Sequence, residues 1–179
     1  MTENWYQKLE HYFLCFMVYS FAGWIYELSL CLIHGQGFVN RGFDFGPYLP
    51  IYGFGGILIL YIFNRFKGKM NPALMCILIS IFAAGVELVS TYLMQLAGIT
   101  WSTLWNYNGD FLNFQGRIAP WPALKFGLLG ILFIYVLQPY IDELKENKSK
   151  LKHVIVAFLF VLFMADCVYH LMNGSNFAE

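Results

Sequence analysis

Apolar residues fall in five runs, at about residues 9–33, 48–63, 72–97, 121–141 and 153–172, separated by turns rich in polar residues or glycine. A helix crossing a bilayer needs about 20 largely apolar residues, and most of these runs reach that length. The pattern predicts an all-α, polytopic membrane protein of about five transmembrane helices, forming a single membrane domain. The second run is short, and Pro50, Gly53, Gly55 and Gly56 crowd its beginning. That spacing predicts a broken or re-entrant opening, tolerated only where protein or water satisfies the backbone. Pro72 stands at the first turn of the third run, where a missing N–H does no harm. The last residues, NGSNFAE, read as a frayed tail.

Two parts of the chain are alike. SFAGWIYE (20–27) resembles SIFAAGVE (80–87), with serine seven residues before glutamate in both. Further on, FVNRGFDFGPY (38–48) resembles FLNFQGRIAPW (111–121), and GILILY (56–61) resembles GILFIY (130–135). The order is the same in both halves. This predicts two two-helix repeats, about 9–66 and 71–141, followed by a fifth helix at about 152–172. Two helices bring the chain back to the side it started from, so the copies run parallel, related by an axis along the membrane normal. Chance likeness between apolar stretches is the competing explanation.

Composition agrees with the pattern. The chain is 59% hydrophobic and 12% charged, with mean hydropathy +0.55. A soluble domain carries about 25% charged residues. The formal net charge is zero, and no basic face or finger motif points to nucleic acid. Lys8, Arg65, Lys67, Lys69, Lys145, Lys148, Lys150 and Lys152 fall on one side of the five-span arrangement; Arg41, Arg117 and Lys125 fall on the other. The excess predicts a cytoplasmic N-terminus and an outer C-terminus, so the two long aromatic loops face outward. Cys15, Cys31, Cys76 and Cys167 are scattered through apolar stretches without a CxxC pair and read as small buried hydrophobes. The first helix has no signal-peptide cleavage pattern after it and is expected to remain as an anchor.

Chemistry within the spans is limited to a few groups. Glu27, Glu87 and Asp166 are carboxylates in apolar helices, where an acidic group costs on the order of 2.5–3.5 kcal/mol on insertion scales. Ser20, Gly23 and Glu27 form one helical stripe; Ser80, Ala84, Glu87 and Thr91 form a matching one. Arg41, Arg117 and Lys125 are expected to pair with these carboxylates. Such a cluster serves either a substrate, ion or headgroup site or a buried network that fixes helix register. Asp166 and His170 are spaced i,i+4, which suits an interfacial pair and permits two metal ligands. Trp101, Trp105 and Tyr107 fit an aromatic belt, and His11 and His34 fit span ends. No GxxxxGK[ST], HExxH or GxSxG is present, so no ATP-binding loop or recognised catalytic motif is expected. No cofactor and no metal are implied.

The blocks GWIYE (23–27), NRGF (40–43), GP (46–47) and PIYG (50–53), with WNYN (105–108) and NFQGRI (113–118), form a distinctive set. Together they resemble a bacterial membrane family named as ABC-transporter permease, type IV, of the CmpB kind, over about residues 12–130. The resemblance gives significance to Trp24, Glu27, Asn40, Arg41, Pro47, Pro50, Tyr52, Glu87, Asn113, Gly116 and Arg117. Departures are Asn106-Tyr107-Asn108 where the family tends to have aspartate, tyrosine and serine, Ala119 for cysteine, and Lys125 for an apolar or aromatic residue. The resemblance implies a permease-like subunit in a bacterial plasma membrane, surrounded by lipid, working with a separate ATPase and oligomerising to line a path. The site would lie at the outer side between the repeats, on Glu27, Asn40, Arg41, Tyr52, Trp24, Glu87, Asn113, Arg117 and Asp166. The alternative is a membrane enzyme or binder acting on a lipid or polyprenyl headgroup, with arginines holding a phosphate and a carboxylate as acid or base.

Overall fold

The computed structural model describes residues 4–35, 37–38, 42, 45–103, 105–146 and 149–173. The fold is all-α. Four helices are long and apolar enough to cross a membrane: Trp5–Ile33, Pro72–Leu96, Pro120–Lys145 and Lys150–His170; a shorter apolar one covers Pro50–Phe66. Among the described residues there is no strand, and a single bridge between Phe114 and Ile118 closes a turn. The chain divides into two compact units, Met1–Leu58 with Leu137–Glu179, and Ile59–Val136.

In the first unit, α1 (Trp5–Ile33) begins where the Asn4 N–H donates to Gln7 Oε1. Its buried residues Cys15, Phe16, Tyr19, Ser20 and Gly23 lie at helical spacing on one face. That face receives the start of α2 (Pro50–Phe63). The α2 helix runs unbroken from Pro50, which corrects the expectation of a broken opening. The physical reason lies in the packing. Pro50 sits in the first turn, where no N–H is needed. Gly53 then brings the helix against α1, where a Cβ would overlap Ser20 and Phe16. The Leu49 N–H donates to the Ser20 carbonyl (3.0 Å) just before the helix begins. The helix α6 (Lys150–Asn173) packs on α1 through Phe13 with Phe160 (5.3 Å) and Phe16 with Phe163 (5.2 Å). At its N-terminal end Glu10 meets His153 (2.8 Å) and Lys152 (3.9 Å). Of the expected frayed tail, Asn173 is the last residue of α6, and 174–179 lie outside the described residues.

In the second unit, Asn71 caps α3 (Pro72–Leu96) by accepting the Ala73 N–H at 2.8 Å, with Pro72 in the first turn. Met75, Cys76, Ile79 and Ser80 face inward. Ile59, Phe63, Met75, Ile79 and Ile134 form the apolar core. The helix α4 (Pro120–Leu132) lies against α3 at Gly127, where a Cβ would overlap Ser80 and Cys76. A π turn, Phe133–Leu137, comes after α4 and leads into α5 (Gln138–Glu146), which belongs to the first unit. Lys67 donates to the Ile134 carbonyl in that turn (2.9 Å) and lies over the Tyr135 ring.

Candidate functional site

The loop between α3 and α4 is held by a dense set of hydrogen bonds. The α3 helix ends with Gly98 N–H on Gln95 O (3.2 Å) and Ile99 N–H on Met94 O (2.9 Å), paired bonds that absorb two terminal carbonyls. Further on, Arg117 N–H donates to Phe114 O (2.9 Å), with Gln115 (φ 55) and Gly116 (φ 68) both left-handed. Two central residues at positive φ make the tight turn that joins antiparallel arms. Gly116 also has no room for a Cβ, which would overlap Asn108 Oδ1. Asn113 holds the turn: its Oδ1 accepts Gly116 N–H (3.0 Å), and its Nδ2 donates to Asp110 O (2.9 Å). Leu112 also has positive φ, at 53°. A non-glycine residue there is held at a cost of order 1–3 kcal/mol, which the surrounding bonds must offset.

This framework presents two ionisable side chains, Glu87 and Arg117. Tyr107 O–H donates to Glu87 Oε1 (2.9 Å), while Glu87 Oε2 is buried without a partner among the described residues. Arg117 is 7% exposed. Its guanidinium lies over the Tyr92 ring (4.3 Å) and the Trp101 ring (4.8 Å), and its Nη2 donates to Gln95 Oε1. Trp105 Nε1 donates to the Arg117 carbonyl (3.2 Å), and Tyr92 O–H to Gln115 Oε1 (3.2 Å). Nε and Nη1 of Arg117 are buried with no partner among the described residues. A buried polar group left unpaired costs about 1–3 kcal/mol, more for a charged one.

The first unit holds two more intramembrane carboxylates. Tyr52 on α2 donates its hydroxyl to Glu27 Oε1 on α1 (2.5 Å), and its ring fills the space beside Gly23. Asp166 on α6 is buried and accepts from the Tyr48 hydroxyl and from the Phe45 N–H (3.3 Å). A separate polar network joins α1 to α5. Gln138 Oε1 accepts from Tyr19 O–H and from Cys15 S–H (3.7 Å), and its Nε2 donates to Asp142 Oδ1 (2.7 Å). His11 Nε2 lies 3.7 Å from Cys15 Sγ and 3.8 Å from Asp142 Oδ1. No group of three or more His, Cys, Asp or Glu that could hold a metal occurs among the described residues.

A sequence model of the family described as putative ABC-transporter type IV matches residues 14–171. The chain belongs to this family. No curated protein and no solved structure shows significant similarity to it.

In this ABC-transporter-type chain the expected site residues separate into groups. Glu27 and Tyr52 are together, and Asp166 is bound to the 45–48 loop. Glu87, Asn113 and Arg117 belong to the α3–α4 loop, with Asn113 used as its internal staple. Trp24 stacks on Phe21 at 5.7 Å. Asn40 and Arg41 lie outside the described residues. The expectation that Arg117 and Lys125 pair with carboxylates does not hold among those residues. Arg117 is fixed by the tight turn and by Gln95, which lies about 12 Å along the helix axis from Glu87, at eight residues' rise. Lys125 lies over the ring of Trp121, one turn earlier on α4 (5.6 Å). Of the residues read from sequence as a belt, Trp101 and Trp105 meet Arg117 in the loop, and Tyr107 reaches Glu87 on α3. Tyr92, Gln95 and Gln138 were not among the expected site residues. Only Gln95 and Tyr92, spaced i,i+3 at the polar end of an apolar helix, offered a pattern that could have been noticed.

Proposed function

We propose that this chain is the permease-like membrane subunit of a transport system, working with a separate ATPase, with its polar site facing the outer side. The observation that carries the reading is the family match across residues 14–171, in a chain with bilayer-length helices and no GxxxxGK[ST] sequence. Without a nucleotide-binding loop of its own, the chain draws on a partner for ATP. The partner would meet the cytoplasmic turns at 64–70 and 142–152, where most of the Lys and Arg residues fall. The host membrane is a bacterial plasma membrane, the N-terminus is inside, and copies associate to line a path.

The reading includes an internal duplication, about 9–66 and 71–141. A matched set of buried positions supports it. Cys15, Phe16, Tyr19, Ser20 and Cys31 are buried in α1; Met75, Cys76, Ile79, Ser80 and Thr91, each sixty residues later, are buried in α3. Ser20 and Phe16 crowd Gly53, and Ser80 and Cys76 crowd Gly127. Glu27 and Glu87, at the same spacing, each accept a tyrosine hydroxyl.

Affinity purification from native membranes at native expression, with mass spectrometry of proteins and lipids, tests the assignment. A stoichiometric ATPase and ATP-dependent solute uptake in liposomes are expected; the absence of both would sink it. The competing reading, an enzyme or binder for a lipid or polyprenyl headgroup, is favoured by the unpartnered edge of Arg117. One enriched lipid without an ATPase would move the assignment there.

A further inference from the structure

Arg117 is a buried cation without a counter-ion among the described residues. The rings of Tyr92 and Trp101 lie 4.3 and 4.8 Å from its guanidinium carbon, which leaves its edges as the groups to bind a ligand. A guanidinium has two edges that grip an oxyanion with parallel N–H groups, and both use Nη2. Gln95 takes Nη2 by a single acceptor, Oε1. Whichever N–H it uses, the other edge keeps two parallel donors, because Nε and Nη1 are unpartnered. Gln95, with its oxygen turned to the guanidinium, has its Nε2 donors beside the same group, unused among the described residues. Glu87 does not serve as the counter-ion. Its Oε1 is held by Tyr107, and it lies about two helical turns before Gln95 on α3. The loop holds Arg117 in place with Gln115, Gly116 and Leu112 all at positive φ.

We propose that the free edge of Arg117, with Gln95 beside it, is the anchor of a binding site for a phosphate oxyanion. The proposal names the substrate class of the polar site in the transport reading, and rests on that reading for what becomes of the bound anion. The phosphate is carried either by a free solute or by a lipid headgroup; the gripping chemistry is the same. Nε and Nη1 are closed to water, so the ligand reaches them as the covering chain shifts, and binding should be sensed by the adjacent Trp101.

The test uses the purified full chain in maltoside detergent, titrated with inorganic phosphate and, separately, with dihexanoyl phosphatidylglycerol, and read by tryptophan fluorescence. A saturable change is expected with at least one of them. Saturation by phosphate alone identifies a free solute. Saturation by the lipid alone identifies a headgroup with its chains, and by both, the phosphate group itself. Arg117→Lys keeps the charge and loses the two-pronged edge, so binding should weaken about tenfold or more; Arg117→Gln should abolish it. Lys125→Gln should bind as the unmodified protein does. If Arg117→Gln does not fold, the Lys variant, with folding checked by its melting curve, decides alone. No saturation with either probe, or unchanged binding in the folded Arg117 variants, overturns the proposal and leaves the guanidinium as a post packed against two rings. An ATPase partner without anion binding would overturn this inference and leave the transport reading standing; anion binding without ATPase or uptake would do the reverse.

Discussion

The hydroxyl of Ser20 on α1 stands where a Cβ on Gly53 of α2 would have to be, and Phe16 closes the same space from one turn earlier. Helices in lipid gain nothing from expelling water between them, so close approach at small residues holds them together. Gly53→Ala must push α1 and α2 apart, and Gly127→Ala must do the same to α3 and α4. Each should lose about 1–3 kcal/mol, the usual range for overpacking. Gly55 and Gly85 have open space around the Cβ position. Their alanine variants should be neutral or gain up to about 1 kcal/mol from helix propensity. Melting curves in detergent compare the four. If Gly53→Ala melts with Gly55→Ala, the close contact does not hold the helices.

Tyr107 and Glu87 join the α3–α4 loop to the middle of α3 by one hydrogen bond. Tyr107→Phe removes the donor and leaves both oxygens of Glu87 unpartnered, which should cost about 1–3 kcal/mol. Glu87→Gln keeps an acceptor but replaces the carboxyl by an amide, which alters the bond. A double-mutant cycle should therefore show coupling of about 0.5 kcal/mol or more. Strict additivity would mean that the bond contributes nothing to stability in the membrane.

Much of the helical layout was legible because a bilayer demands long apolar runs. The starts of α2, α3 and α4 coincide with prolines at 50, 72 and 120. The glycines of α2 misled because glycine reads the same in sequence whether it breaks a helix or lets a neighbour approach. Only the partner, Ser20, distinguishes the two. The site was less legible. Opposite charges in apolar surroundings suggest ion pairs, but Arg117 is satisfied in part by ring faces, whose attraction has no fixed sequence spacing. Asn113 was identified without its role, because a staple inside a loop and a ligand contact call for the same amide. The Gln138 network was illegible for a different reason. Its members are 119 to 123 residues apart along the chain for Tyr19 and Cys15, and the π turn before Gln138 leaves no mark in hydrophobic pattern.

Asp166 should act as a latch for the segment before α2. It accepts from the Phe45 N–H and from the Tyr48 hydroxyl. Asp166→Ala removes both acceptors while leaving α6 a better helix former than before. Amide hydrogen exchange at Phe45 should accelerate, with little change at Ala157 or other positions in the middle of α6. Tyr48→Phe removes only the side-chain bond and should give a smaller acceleration at the same amide. Unchanged exchange at Phe45 in Asp166→Ala would show that the segment is held by other contacts.

Gln138 is 2% exposed and satisfies three neighbours at once, accepting from Tyr19 and Cys15 and donating to Asp142. The π turn, Phe133–Leu137, comes immediately before it. Gln138→Met preserves volume and removes every polar atom. The Tyr19 hydroxyl then loses the acceptor that Gln138 supplies, and the variant should lose about 1–3 kcal/mol. Tyr19→Phe in the same background takes away the hydroxyl that bonded to Gln138. The double variant should therefore be more stable than the sum of the two single losses predicts, by about 0.5–3 kcal/mol. The measurement is a melting-curve cycle on the four proteins. A double variant that loses the full sum would mean that Tyr19 finds another acceptor when Gln138 is gone, and the network would then not depend on the residue at its centre.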